Sequence, residues 1–256
     1  RPPRSTPLSL HDALPIFRQC CFLFGIGIWS LVILSSLSPA FAQDASYDQY
    51  IGEMVRYDVR SLAMKMADAH IELKGKVDLD GRKAYLITFE AKGANFYDRE
   101  KIYADIKDLY PLRIERDVNY LGSIEKITEV YDQDKFVVTV TKTTKAKPQP
   151  EMIILKKKAR IDNLYCFIYR YRLMGSFRLG SSLELNLPTK DVSVKIVKNT
   201  KIKIADRMYN AFLLETTPAQ YRLWFDTSQE RVLLRIDKSA MVGGTSMIMT
   251  KYEKTR

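Results

Sequence analysis

The chain of 256 residues carries 41 Lys and Arg against 30 Asp and Glu, a formal charge of +11, with only two His and three Cys. So few histidines and cysteines exclude a multi-ligand zinc centre and leave nucleophilic catalysis with almost no base to recruit. A basic chain without a recognition motif is also a poor fit to nucleic acid.

In chain order, residues 1–16 have no periodic pattern. The segment Leu8-Ser9-Leu10-His11-Asp12-Ala13-Leu14-Pro15-Ile16 looks like the in-frame translation of a sequencing adapter, so it is set apart and His11 is assigned no chemistry. Residues 17–42 then read as a secretory signal. They comprise Phe17-Arg18-Gln19 with one positive charge, an uncharged run from Cys20 to Leu37, and Ser38-Pro39-Ala40-Phe41-Ala42 with small residues where a signal peptidase reads. Cleavage is expected after Ala42 and the location is expected to be periplasmic, in an envelope of Gram-negative type. The alternative is an uncleaved membrane anchor, since about 20 apolar residues span a bilayer. In that case the signal segment would be the protein's sole membrane contact.

Removing that prefix takes away three of the 41 basic and one of the 30 acidic residues and leaves a formal charge of +9 on residues 43–256. One histidine (His70), one cysteine (Cys166) and one tryptophan (Trp224) remain. A lone cysteine forms no internal disulfide, so the exported domain must be held by its core. The positive balance suits either an anionic envelope partner or lysines that simply face water.

From Tyr57 onward the dominant pattern has period two, which is the signature of half-buried strands. Tyr57 and Val59 alternate with charged neighbours, as do Ala69, Ile71 and Leu73. Asp78-Leu79-Asp80-Gly81 reads as a hairpin turn, because Asp-Gly accepts the positive φ that tight turns require. Further strands are predicted over 84–91, 101–109, 112–120, 123–131 and 136–143. The stretch from Lys142 to Arg160, with Lys147-Pro148-Gln149-Pro150 and Lys156-Lys157-Lys158, reads as a turn or linker. It is either an anion-facing finger or a sheet edge guarded by lysine, and 147–160 is a candidate junction between two lobes.

Asp162-Asn163-Leu164 is suited to cap a short helix through Tyr165, Ile168, Tyr169 and Leu173. Strands resume from Lys190. Val192, Val194 and Ile196 alternate, and Ile202 and Ile204 continue the pattern to a turn at Asp206. Runs through Tyr209, Ala211 and Leu213, through Tyr221, Leu223 and Phe225, and through Val232, Leu234 and Ile236 follow. After a Gly243-Gly244 turn, Met247 and Met249 end the pattern. The expected fold class is all-β: a large antiparallel curved sheet, sandwich or half-barrel with one short helix near the middle.

Several segments, taken in order, resemble the bacterial periplasmic family known as domain of unknown function 3108. They are Gly52-Glu53 with Tyr57-Asp58-Val59, Gly81-Arg82-Lys83-Ala84-Tyr85, Leu109-Tyr110-Pro111-Leu112-Arg113, Asp162-Asn163-Leu164 with Tyr169-Arg170, Tyr209-Asn210-Ala211-Phe212, Leu223-Trp224-Phe225-Asp226, and Arg231 to Ile236. The resemblance spans about Ile51 to Tyr252. It implies a secreted β protein and supplies no catalytic residues. One departure is Met66-Ala67-Asp68-Ala69, where the family has a glycine-rich position after the first strand, which leaves the tightness of the first hairpin open.

Read for chemistry, the residues point away from catalysis. His70 is out of phase with Ala69 and Ile71 and is expected to face solvent from a strand. No Gly-x-Ser-x-Gly elbow, His-Glu-x-x-His helix or phosphate-binding glycine loop occurs. Paired-carboxylate chemistry needs only two acids, and Glu53, Glu115, Glu129, Asp226 and Asp237 are the candidates. Each has a plainer role, and Asp226 ahead of Thr227-Ser228-Gln229 is expected to bond the amides of a turn. Aromatic residues crowd the second half, where they either pack the core or line a groove. Trp224, out of phase with Leu223 and Phe225, is the leading binding candidate, with Tyr209, Tyr221 and Tyr169 behind it. The expected protein is therefore not an enzyme and uses no cofactor or metal. It binds or carries an envelope lipid or glycan. The alternatives are a scaffold for an envelope protein partner or a carboxylate-dependent enzyme acting on carbohydrate.

Overall fold

The computed structural model describes residues 46–62, 64–239 and 244–255. The adapter-like and signal segments and Gly243 lie outside them. A 3-10 turn, Tyr47–Tyr50, precedes β1 (Glu53–Ser61), β2 (Met64–Leu79), β3 (Arg82–Gly93), β4 (Phe96–Asp105), β5 (Pro111–Tyr120), β6 (Ser123–Asp132), β7 (Val137–Thr144) and β8 (Glu151–Lys156). Helix α1 (Leu164–Met174) follows. The chain then continues through β9 (Ser182–Leu187), β10 (Lys190–Ile204), β11 (Arg207–Thr217), β12 (Tyr221–Asp226), β13 (Leu233–Lys238) and β14 (Thr245–Lys254).

The described strands form one antiparallel sheet of 14, in the order β8-β7-β6-β5-β4-β3-β2-β1-β14-β13-β12-β11-β10-β9. Two meanders are thus joined where β14 pairs with β1, for example Val59 opposite Met247. The two free edges, β8 and β9, are the strands that flank α1. Between them runs a strap rather than a ladder. Asp162 N donates to Asn186 O at 2.7 Å, Asn186 Nδ2 donates to the carbonyls of Ala159 and Arg160 at 2.9 Å, and Lys157 pairs with Asp191 at 2.7 Å. The sheet therefore curls into an incomplete barrel whose seam is bridged at one end.

The period-two pattern places Val55, Tyr57, Val59, Ile71, Leu73, Ile87, Phe89, Ile102 and Ile114 on the inner face, all buried. A two-residue hairpin joins β2 and β3 at the predicted turn, whereas five residues separate β4 from β5. Asp80 (φ 52°) and Gly81 (φ 83°) have the paired positive φ of a type I′ turn. Leu121 (φ 51°) and Gly122 (φ 87°) repeat it between β5 and β6, although Leu is a costly residue there. The first hairpin is tight as well, with Met66–Ala69 lying inside β2.

Three expectations need correction. The stretch 142–160 is not merely a turn or linker, since it holds edge strand β8, paired with β7 from Val137↔Lys156 to Lys142↔Glu151. Strands also resume before Lys190: β9 alternates Leu183, Leu185 and Leu187 and pairs with β10. Finally, Ile202 does not continue the face of Ile196. A bulge between Ile196 and Lys198 adds one residue, so that Ile196 opposes Leu214 while Ile202 opposes Tyr209 on the other face.

Candidate functional site

Helix α1 plugs the barrel. Asn163 caps it, its Oδ1 accepting from Tyr165 N at 2.8 Å and Cys166 N at 3.3 Å. Tyr165, Cys166, Phe167, Ile168, Tyr169, Tyr171 and Arg172 are all buried, as expected of a helix enclosed on every side. Tyr165 stacks on Phe89 of β3 at 4.8 Å, Tyr169 meets Tyr50 at 5.5 Å, and Tyr171 meets Phe225 of β12 at 5.8 Å. The aromatic residues of the second half thus fill much of the interior instead of leaving a long open groove.

Buried charges lock the plug in place. The Arg172 guanidinium forms a two-pronged pair with Glu53, Nη2 to Oε2 being 2.7 Å, and also donates to Glu230 O from Nε at 3.0 Å and Nη2 at 2.9 Å. It lies 4.4 Å from the Tyr50 ring centre, and Tyr252 donates to Glu53 at 3.2 Å. A second buried cluster joins Arg116 to Asp98 (Nε to Oδ1, 2.7 Å) and Glu100 (3.2 Å). Burial alone would lower the Arg116 pKa, but the adjacent Glu100 and Asp98 carboxylates reverse that and the net shift is upward. Near the start of α1, Asp162 pairs with Arg170 at 2.5 Å. Burial raises the Asp162 pKa against the opposing pull of Arg170.

Among the described residues, an interior space lies beside the N-terminus of α1, near the seam. A partly open cavity of about 90 Å³ runs between the β4–β6 part of the sheet and the β9–β13 part. Ile114, Phe167, Leu185, Val194, Leu223 and Ile236 form its apolar wall, and Glu100, Arg116, Glu129, Lys190 and Tyr221 add polar groups. These polar groups already engage one another or their neighbours. Tyr131 donates to Glu129, and Lys190 Nζ donates to Gln220 Oε1 at 2.6 Å and Tyr221 OH at 2.9 Å. The arrangement offers an apolar wall beside polar groups that are already paired.

Of the four predicted binding residues, only Tyr221 reaches this cavity. Tyr169 is buried in the core. Trp224 lies across from Leu213 and Arg235 on the outer face, with the guanidinium carbons of Arg222 and Arg235 at 5.5 and 5.2 Å from its ring. Tyr209, in phase with Leu213, shares that face and lies 4.9 Å from the Arg207 guanidinium. The five candidate acids are dispersed too. Glu53 belongs to the Arg172 clamp and Asp237 pairs with Arg235 at 2.6 Å. Asp226 accepts from the amides of Ser228 and Val232, and burial raises its pKa. Glu115 opposes Lys101 and Thr128 on the outer face. Only Glu129 lines the cavity. His70, opposite Arg56 and Glu90, also faces outward. Glu100, Arg116, Lys190 and Leu185 escaped the sequence reading, because they converge from four strands with no local motif.

A family model of proteins of unknown function, DUF3108, matches residues 55–250. The chain belongs to the DUF3108 family. No curated protein matches it. Among solved structures it is similar to a beta-barrel-like protein of domain of unknown function DUF1849 from Brucella abortus. That likeness has a TM-score of 0.50 and 8% identity, and covers 80% of this chain and 98% of the other. It is also similar to a protein from Bacteroides fragilis, described as exported and of YmcC-like fold. There the TM-score is 0.33 and the identity 7%, with coverage of 80% and 96%. At this identity the first likeness speaks to fold alone, a barrel-like sheet shared by a DUF3108 member and a protein of another family. Among the described residues no helix is long and apolar enough to cross a membrane, and no group of three or more His, Cys, Asp or Glu is placed to hold a metal ion.

Proposed function

We propose that this DUF3108 protein is a non-enzymatic, exported binding module of the bacterial envelope, and that it holds the end of an acyl chain of an envelope lipid. The observation that carries this reading is the cavity beside α1, whose wall is mainly aliphatic and aromatic and whose polar groups include Arg116 and Lys190. A glycan is the weaker fit, since a sugar needs many directed hydrogen bonds and the polar groups here are already engaged. The volume of about 90 Å³ is smaller than the roughly 150 Å³ apolar cavity that admits benzene. It therefore suits a chain end rather than a whole acyl chain, and each methylene buried there contributes about 0.8 kcal/mol. Export rests on the signal-like segment 17–42. A non-enzymatic role is supported by the dispersal of the five candidate acids, of which Glu129 alone lines the cavity, by the engagement of Glu53 with Arg172, and by the partners that hold the two cavity carboxylates, Tyr131 on Glu129 and Arg116 on Glu100.

The test is native mass spectrometry of gently extracted protein, together with titration of a fluorescent fatty acid. The full chain is expected to carry lipid and to bind the probe, and Leu185→Phe, which narrows the cavity, is expected to weaken binding while the chain melts as before. Wild-type protein that carries no lipid and ignores the probe would refute the proposal.

A further inference from the structure

In the first meander, β1 to β8, successive connections alternate between two ends, as antiparallel neighbours require. At one end the β2–β3, β4–β5 and β6–β7 connections hold Asp80, Asp108 and Asp134. At the other, the β1–β2, β3–β4, β5–β6 and β7–β8 connections hold no Asp or Glu among the described residues, and the last of them carries Lys145 and Lys147. What that end exposes instead is apolar. Leu62 and Met64 are 68% and 64% exposed at the first tip, Met66 is 55% exposed just behind it, and Leu121 is 69% exposed at the third.

These tips adjoin in a row. Leu121 N donates to Asn95 O at 2.9 Å and Lys145 N to Ile124 O at 3.2 Å, while Gly93 lies so close to Met66 O that a side chain there would strike it. One open hollow separates Met66 from Ala94 and another separates Ala94 from Leu121, and Lys92 borders both. The acids behind the tips are held: Asp58 by Arg60 and Lys65, Asp68 by Lys65, and Glu151 by Lys147. Lys92 and Lys145 add positive charge nearer the turns. Leu62 (φ 49°) and Leu121 (φ 51°) both occupy the left-handed region, which Asn or Gly fills readily and a bulky side chain does not. At the opposite end Asp80 takes that conformation (φ 52°), and Leu109 (φ 57°) takes it with its side chain buried in the core. The fold gains nothing from an exposed leucine at such a site, so the side chain serves something outside the fold.

We infer that this row of hairpin tips docks on an anionic lipid bilayer. Leu62, Met64, Met66 and Leu121 enter the interface, and Lys92 and Lys145 lie at the level of the lipid phosphates. Charge selects the surface: the turns that approach it lack acids, and the turns that carry them point away. Shape selects a bilayer over a protein partner. The apolar side chains stand on separate projecting turns, which a fluid interface accommodates, whereas a protein partner must present a closely fitting complement. Docking of this kind does not require lipid to enter the cavity beside α1.

The test uses the full chain, produced by export, with Cys20→Ser and Cys21→Ser so that buried Cys166 is the remaining native thiol. A polarity-sensitive fluorophore is attached at Ala94→Cys, between the tips, or at Lys107→Cys, about 30 Å away beyond the far end of β4. Vesicles containing phosphatidylglycerol are expected to shift the emission at position 94 to the blue and to leave position 107 unchanged. Pure phosphatidylcholine, or high salt, is expected to give a much smaller shift. Adding Leu62→Asn and Leu121→Asn is expected to weaken vesicle binding by about 100-fold, or about tenfold for each leucine withdrawn, while the chain melts at the same temperature or higher. No shift at position 94, an equal shift at position 107, equal binding to phosphatidylcholine, or binding that survives both asparagines would each overturn the inference. So would a shift at position 94 that grows with protein concentration in the absence of lipid, which would assign the tips to a second copy.

Discussion

Removing the Arg172 side of the buried clamp is expected to be the most damaging single polar substitution in the protein. The Arg172 and Glu53 side chains are 2% and 0% exposed, and the pair links α1 to the first strand across a sequence separation of 119. Arg172→Met keeps much of the side-chain volume but leaves the Glu53 carboxylate buried with one neutral donor, Tyr252. It also strips Glu230 O of both its Arg172 bonds. Leaving one charge of a buried pair uncompensated costs about 3–5 kcal/mol. For a domain of this size that corresponds to a fall in melting temperature of about 6–20 °C. The double variant Glu53→Leu with Arg172→Met removes both charges and is expected to recover a large part of the loss, since replacing a buried pair by apolar groups is often neutral. The recovery stops short of complete because Glu230 O still lacks its donors. Urea unfolding followed by circular dichroism, run as a double-mutant cycle, measures this directly. The expected coupling between the sites exceeds about 2 kcal/mol. If Arg172→Met alone costs less than about 1 kcal/mol, the clamp does not hold the plug and the electrostatic account of the interior is wrong.

Three further outcomes are expected. Leu121→Asn places an Asn-Gly pair in the type I′ turn now occupied by Leu121 (φ 51°), and it should stabilise the protein by about 0.5–1 kcal/mol in thermal melts; a loss of stability would contradict that turn geometry. Phe167→Ala empties a fully buried position on α1 and should cost about 3–5 kcal/mol. Trp224→Ala, on the outer face between two arginines, should cost far less, about 1 kcal/mol; equal losses would show that the interior is not packed around the helix. Burial lowers the pKa of His70 from its ordinary 6.5, against the opposing pull of Glu90. The folded state then binds its proton less readily than the unfolded chain does, so the His70 contribution is neutral above 6.5 and turns destabilising as pH falls below it. Proton NMR titration should place the His70 midpoint below 6.5, and His70→Gln should flatten the decline of stability on acidification.

Much of the architecture was legible in local pattern. The alternation of Val55, Tyr57 and Val59, or of Tyr221, Leu223 and Phe225, reports a half-buried strand, because neighbouring side chains on an extended backbone must point to opposite faces. Asn163 announced α1, because a short polar side chain ahead of an apolar run satisfies amides that the first helical turn leaves open. The face assigned to Trp224 likewise follows from its phase. Strand β9 was equally readable from Leu183, Leu185 and Leu187, whereas β8 was masked by its unbroken Met152–Leu155 run beside prolines and lysines.

The sequence by itself thus determined an antiparallel sheet with one capped helix, since period, turn and cap are set by residues a few positions apart. Only the tertiary structure decided that β14 joins β1, that α1 occupies the interior, and that Arg172 finds Glu53. It likewise decided that the residue bulged at Val197 turns Ile202 to the opposite face from Ile196. Those outcomes depend on contacts between segments far apart in the chain and on single-residue shifts of register. A repeating pattern of two cannot record them, because every strand with the same alternation presents the same face to any partner.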